Sequence, residues 1–200
     1  MDRNLAREKL NLPQDKKIIL FGAINSTRDS RKGFLFLQLA LQKLANTEWK
    51  QQIVSCIFGN SKPIKTTDFN MQVYELGHIH DDGKLRILYS AVDVFVAPST
   101  QDNLPNTVVE ALACGTPCVA FNIGGMPDII DHKENGYLAK SFEADDLMQG
   151  IIWVIENEER QKLLNYKARQ KAEKIFSIES QMQMYIKLYQ RLLLKTYLKK

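Results

Sequence analysis

Residues 97–125 read APSTQDNLPNTVVEALACGTPCVAFNIGG, and the order of residue types in this stretch decides the fold. An apolar run, Val92 to Ala97 (VDVFVA), stops at Pro98 and gives way to polar residues and a second proline. Thr107 to Ala113 then reads as a helix, Pro117 to Phe121 returns to strand character, and the Gly124-Gly125 pair closes the segment. Strand, loop, helix, strand in so few residues is the pattern of a parallel sheet whose strands are joined by helices.

Working outward, the same alternation recurs. Lys17 to Gly22 (KIILFG) predicts a buried strand ended by glycine, and Phe34 to Leu44 carries leucines at helical spacing. Gln52 to Gly59 (QIVSCIFG) and Met71 to Leu76 predict further strands, and Leu85 to Ser90 a helix. The strands are short and nearly all apolar, as they are where both sheet faces are covered. The predicted fold is therefore α/β, an open parallel sheet with helices on both faces and a helical C-terminal tail.

From Ala144 the pattern becomes helical throughout, with candidates over Ala144 to Glu156, Glu159 to Ile175 and Ile178 to Leu198. The last places Met182, Tyr185, Tyr189 and Leu192 on one stripe. Lys187, Arg191, Lys195, Lys199 and Lys200 add five positive charges, with no acid after Glu179. The chain thus divides into a lead-in over 1–16, a sheet domain over 17–175 and an amphipathic helix over 176–200.

Composition agrees with one ordinary domain: 200 residues, 44% hydrophobic, with only 10 Gly and 6 Pro, exclude collagen-like and disordered classes. A formal charge of +4 gives no argument for a nucleic-acid partner. Three cysteines, Cys56, Cys114 and Cys118, cannot all pair within the chain and suit a reducing compartment. The opening MDRNLAREKLNLP is too charged for a signal peptide, and no apolar run approaches the length of a membrane span. The expected location is the cytoplasm.

In open doubly wound sheets, ligands bind beyond the carboxyl ends of the strands, here the residues after Gly22, Gly59, Leu76, Ala97 and Phe121. A helix starting near Asn106 leaves the amides of about Asn106 to Val109 without intrahelical acceptors, which with the helix dipole attracts a phosphate or diphosphate. Glu110, in the first turns, either accepts hydrogen bonds from a vicinal diol or is an ordinary acid favouring the helix start. Arg28, Arg31 and Lys32 precede Gly33 and the helix at Phe34, so that loop either offers a cation to a phosphate or is a solvated basic loop. Gly124-Gly125 permits close approach of backbone to a ligand or forms a tight turn before Pro127. Cys114 and Cys118 carry no second metal-ligand pair, and His78, His80 and His132 lack zinc spacing, so no metal is expected. A nucleophilic serine elbow, a P-loop and the dinucleotide glycine fingerprint are all missing from the sequence.

The segment PSTQDNLPNTVVEALACGTPCVAFNIGGMPDII (98–130) resembles the donor-site signature of the retaining glycosyltransferases of family 4, which have the GT-B fold. The resemblance runs from about Lys17 through the tail and covers the C-terminal, Rossmann-like half that binds the nucleotide sugar. It implies an acceptor-binding N-terminal domain missing from these residues. The family hallmark of two glutamates separated by seven residues falls on Asp102 and Glu110, with the first shortened. By resemblance, Glu110 binds the ribose hydroxyls, and Asp102 lies by the donor sugar, orienting it or stabilising charge at its anomeric carbon. Asn103, Leu104, Pro105, Asn106 and Thr107 hold donor sugar and diphosphate.

A family arginine after the first strand is Ala23 here, with Arg28 or Arg31 as its replacement, while the diphosphate-binding lysine survives as Lys32. Gly59, His78 and Ile79 fall beside the nucleotide base. The resemblance implies no cofactor beyond a nucleoside diphosphate sugar as donor, a role in polysaccharide biosynthesis, and retention by front-face attack assisted by the leaving phosphate. It also implies that this half alone is inactive. The tail then packs on the missing domain, or meets the inner face of a membrane in the full-length protein. The alternative reading, motivated by Ala23, Asp102 and the missing domain, is a non-catalytic nucleotide-sugar-binding or protein-interaction module. A hydrolase with paired carboxylates about 5 to 9 Å apart fits less well, because Glu110 is assigned to the ribose.

Overall fold

The computed structural model describes residues 1–22, 29–59 and 69–197. Six parallel strands form one sheet: β1 (Lys17–Gly22), β2 (Ile53–Phe58), β3 (Val73–Glu75), β4 (Val94–Ala97), β5 (Cys118–Phe121) and β6 (Gly136–Ala139). Their spatial order is β3-β2-β1-β4-β5-β6, so strand order reverses between β1 and β4. β1 pairs with β2 along its whole length, from Lys17 opposite Ile53 to Gly22 opposite Phe58. It meets β4 at only Ile19 opposite Val94 and Leu20 opposite Phe95.

Alternate residues of the central strands supply two separate cores. Ile18 and Leu20 of β1 pack with Val54, Phe95, Cys118 and Ala120 under α1 (Arg3–Lys9), α3 (Asp82–Ala91), α4 (Asn106–Ala113) and the short α5 (Met126–Ile129). Ile19 and Phe21 pack on the other face with Ile57, Val94, Val119 and Phe121, under α2 (Phe34–Leu44) and α6 (Ala144–Ile155). Period-two alternation of apolar residues on both faces is why the strands read as continuous hydrophobic runs. α7 (Glu158–Lys171) continues into a π-helical turn over Ala172–Phe176, and an extended Ser177 separates that turn from α8 (Ile178–Tyr197).

The sequence expectations hold for the central strands and differ at the margins. The expected strand over 71–76 shortens to Val73–Glu75, whose residues are only partly buried at the sheet edge. β6 and α5, each four residues long, carry too little periodicity to be read from sequence. α8 exposes Tyr185, Tyr189, Leu192 and Leu193, and Ile178 is 83% exposed. Among the described residues no helix is long and apolar enough to cross a membrane.

At the amino ends of β1 and β4 lies a buried ion pair that sequence periodicity does not reveal. Asp93 is 1% exposed and Arg7 4%. Asp93 Oδ2 accepts from Arg7 Nη2 at 2.7 Å and from the Ile18 amide at 2.6 Å, and Oδ1 accepts from Arg3 at 2.9 Å. The Arg7 guanidinium also donates to the carbonyls of Ala91, Gln14 and Lys16. Gln161 of α7 adds bonds to the Asp93 carbonyl and carboxylate. The pair therefore stitches α1, β1, β4 and α7 with its hydrogen-bonding capacity filled, the condition under which a buried pair is tolerated.

Burial pushes the Cys56 thiol up to about 12 and raises Cys118 and Cys114 as well. These thiols stay protonated and unreactive at neutral pH. Two outcomes are expected. Asp93→Ala leaves Arg7 buried without a counter-charge and lowers the unfolding free energy by about 3–5 kcal/mol, read by urea denaturation. A thiol reagent at pH 7.5 labels Cys56 and Cys118 only when urea unfolds the chain; rapid labelling of both in the native protein contradicts the buried placement.

Candidate functional site

The reversal between β1 and β4 leaves the carboxyl ends of these strands uncovered by a crossover, the place where doubly wound sheets take ligands. Loops from three strands lock together there. After β1, a 3-10 turn over Ser30–Lys32 ends at Gly33, whose φ of 69° suits glycine and whose missing Cβ leaves room for the Pro98 carbonyl. The Arg31 carbonyl accepts from the Thr100 amide at 2.7 Å. After β5, the Gly125 amide donates to the Asp102 carbonyl at 3.3 Å, and a Cβ on Gly124 or Gly125 would overlap the carbonyl of Asp102 or Asn103. The glycine pair thus serves close backbone approach, loop against loop.

Inside this lock, Lys32 Nζ donates to Asp102 Oδ2 at 2.9 Å, with the side chains 27% and 14% exposed. Ser99 Oγ lies 3.5 Å from the same oxygen. These groups come from loops 70 residues apart, and Asp102 lies on the loop that leads into α4. That helix begins at Asn106, as its sequence predicts, with Pro105 as N-cap and no side chain capping it. Its free donors are fewer than expected. Val108 and Val109 both donate to the Pro105 carbonyl, at 3.1 and 3.4 Å, because the first turn closes on that one oxygen. The amides of Asn106 and Thr107 remain to meet an anion. Asn103, Leu104 and Asn106 are exposed, Thr107 is half-buried and Pro105 is buried.

Glu110 is not part of the Lys32–Asp102 pair. It lies one turn along α4, exposed, and its Oε2 accepts from the Tyr89 hydroxyl of α3 at 3.1 Å. Burial, and then the Glu110 carboxylate, push the Tyr89 phenol well above its ordinary range, so it stays neutral and keeps the proton that it donates to Glu110. Both residues line a hollow of about 290 Å³ between α3 and α4, together with Asp82, Leu85 and Arg86.

Arg31 is turned onto its own loop. It makes a two-pronged ion pair with Asp29 at 3.0 and 2.7 Å, which holds the Asp29 carboxyl below the usual carboxylate range. Arg28 and Ala23 lie outside the described residues. Gly59 is buried at the end of β2, where its amide donates to the Gly77 carbonyl at 2.7 Å. His78 is exposed and its ring stacks on His80 with centroids 5.6 Å apart, while Ile79 packs against the core. His78 and Ile79 border a largely apolar hollow of about 660 Å³ with Leu76, Ile87 and Leu88.

Sequence reasoning missed Tyr89, Ser99 and Thr100. Tyr89 lies on the apolar stripe of α3 and so reads as core, while Ser99 and Thr100 carry no spacing signal. A larger hollow, about 910 Å³, lies at the opposite end of the strands beside Lys17, Gly115 and Gln161. It is remote from the switch point, so its size does not make it the site. Among the described residues no three His, Cys, Asp or Glu side chains are grouped to hold a metal ion.

Comparison with known proteins places this geometry. An uncharacterised glycosyltransferase of Haemophilus influenzae is 30% identical over 171 residues, covering 82% of this chain and 46% of that protein. The solved structure of sucrose-phosphate synthase from Thermosynechococcus elongatus superposes with a TM-score of 0.81 at 26% identity, over 97% of this chain and 50% of that one. Anabaena Alr3699/HepE, crystallised with UDP and glucose, superposes with a TM-score of 0.73 at 21% identity, over 94% of this chain and 55% of that one. The chain thus spans about half the length of these relatives. Residues 2–171 match the family described as glycosyl transferases group 1, and with its doubly wound sheet and its loop lock at the strand reversal, the chain belongs to that family.

Proposed function

We propose that this chain is the donor-binding half of a retaining glycosyltransferase, which moves a sugar from a nucleoside diphosphate sugar to a hydroxyl acceptor. The observation that carries the proposal is the Lys32–Asp102 pair, held across the strand reversal on the loop that leads into the uncapped start of α4. UDP and glucose in the structurally similar Anabaena protein support a nucleotide sugar as ligand.

In this reading the diphosphate lies against the Asn106 and Thr107 amides and draws the Lys32 ammonium to itself. As the bond from sugar to diphosphate breaks, negative charge grows on the leaving oxygens and positive charge on the sugar ring. The amide dipoles and Lys32 stabilise the first, and Asp102, released from Lys32, orients the sugar or stabilises the second. The acceptor hydroxyl attacks the anomeric carbon from the face the diphosphate leaves and passes its proton to the departing phosphate oxygen, so configuration is retained. Glu110 accepts hydrogen bonds from the ribose hydroxyls, and Gly59, His78 and Ile79 border the base. Arg31 is already paired with Asp29, which favours Arg28 as substitute for the guanidinium missing at Ala23.

The acceptor and the second wall of the crevice belong to an N-terminal domain, without which water enters and transfer by this half alone fails. The exposed apolar stripe of α8 packs on that domain. The enzyme works on the cytoplasmic side of the membrane, in polysaccharide assembly.

Calorimetry with UDP, GDP and ADP is expected to give saturable binding of at least one nucleotide at millimolar concentration or below; none for all three refutes the proposal. Lys32→Ala weakens that binding by about tenfold or more, the worth of one charge-assisted hydrogen bond. Asp102→Asn changes nucleotide affinity by less than about threefold, yet slows transfer by the two-domain protein by about 100-fold or more. Gly125→Ala, which pushes a methyl into the Asn103 carbonyl, weakens nucleotide binding by about tenfold while the far-ultraviolet circular dichroism stays unchanged.

A further inference from the structure

Tyr89 is 1% exposed, and its ring is gripped edge-on by Phe95, with centroids 5.6 Å apart, and by Phe58 at 6.2 Å. Its backbone is held as well, since the Tyr89 carbonyl accepts from Thr116 Oγ1 at 2.6 Å. A ring fixed this firmly aims its hydroxyl in one direction. That direction is Glu110 Oε2, at 3.1 Å on the neighbouring helix.

Glu110 is an exposed side chain with three rotatable bonds, and such a glutamate normally samples several rotamers at once. A neutral donor projecting from the core removes much of that freedom in advance. It occupies one carboxylate oxygen and leaves Oε1 to accept further hydrogen bonds beside the hollow between α3 and α4. A vicinal diol needs an acceptor already turned toward it, and a preset carboxylate binds it without the cost of ordering the side chain.

We infer that Tyr89 is a positioning residue for ribose recognition: its hydroxyl presets the Glu110 carboxylate so that the remaining oxygen meets the ribose diol of the nucleotide. The inference rests on the donor-binding role proposed for Glu110 and adds the core residue through which that role operates. Tyr89 touches no ligand itself. Its contribution therefore passes entirely through Glu110 and concerns only nucleotides that carry both ribose hydroxyls.

The test is calorimetry on the whole chain with UDP, GDP and ADP, each beside its 2′,3′-dideoxy analogue. The ribose form is expected to bind the native protein more tightly than the dideoxy form. Tyr89→Phe reduces that ratio by about fivefold, leaves dideoxy affinity unchanged and shifts the thermal midpoint by only a few degrees. Glu110→Gln also reduces the ratio, and adding Tyr89→Phe to Glu110→Gln lowers it no further. A full native ratio in Tyr89→Phe, with the ratio lost in Glu110→Gln, overturns the role of Tyr89 and leaves that of Glu110 standing. A ratio near one in the native protein overturns both. Unfolding of Tyr89→Phe, or equal weakening of ribose and dideoxy forms, assigns the hydroxyl to stability and overturns the inference.

Discussion

The sheet is built from two halves that meet at the junction of β1 and β4, where only two residue pairs lie in register. The Asp93 carboxylate reinforces this narrow seam at one end. It accepts from the Ile18 amide of β1, while the Asp93 amide donates back to the Ile18 carbonyl at 2.9 Å. Arg7 and Arg3 neutralise the carboxylate from α1, and Gln161 reaches it from α7, so elements far apart in sequence converge on one buried charge. The Asp93 carboxylate and the Arg7 guanidinium have their partners, which is what allows a charge to be buried at this end of the sheet.

At the other end of the same two strands the loops perform a related task with different chemistry. Backbone contacts replace the buried charge: Arg31 with Thr100, Gly33 beneath Pro98, and the glycine pair against Asp102 and Asn103. The ion pair there, Lys32 with Asp102, is only partly buried and stays in contact with solvent. A closed pair and a solvent-accessible pair thus mark the two ends of these strands. The rigid seam gives the upper loops a fixed base, so their donors keep one arrangement.

The α4 helix joins the two aspects. Its start offers two amides to the crevice, and one turn later Glu110 is tied to a core tyrosine. The Tyr89 ring and hydroxyl are both buried, and the hydroxyl is bonded to Glu110, so core packing sets the direction of a polar side chain outside it. An exposed carboxylate thereby gains the definition of a buried one while staying in contact with water.

Strands with both faces covered could be read from the sequence alone, because their apolar runs need no partner to be recognised. β1, β2, β4 and β5 follow from Lys17 to Gly22, Gln52 to Gly59, Val92 to Ala97 and Pro117 to Phe121. The start of α4 also followed from local chemistry, since a proline before a helical run ends the preceding extended chain there. β6 escaped because four residues with a half-buried Tyr137 and Leu138 take strand form only by pairing with β5. The partners of Lys32, Glu110 and Asp93 escaped for a deeper reason. Their contacts span 70, 21 and 86 residues, and which side chains meet at such separations depends on the spatial order of the strands. Residue type and local spacing thus determined the elements and the polarity of the loops, while strand order alone decided which charges lie within hydrogen-bonding distance of one another.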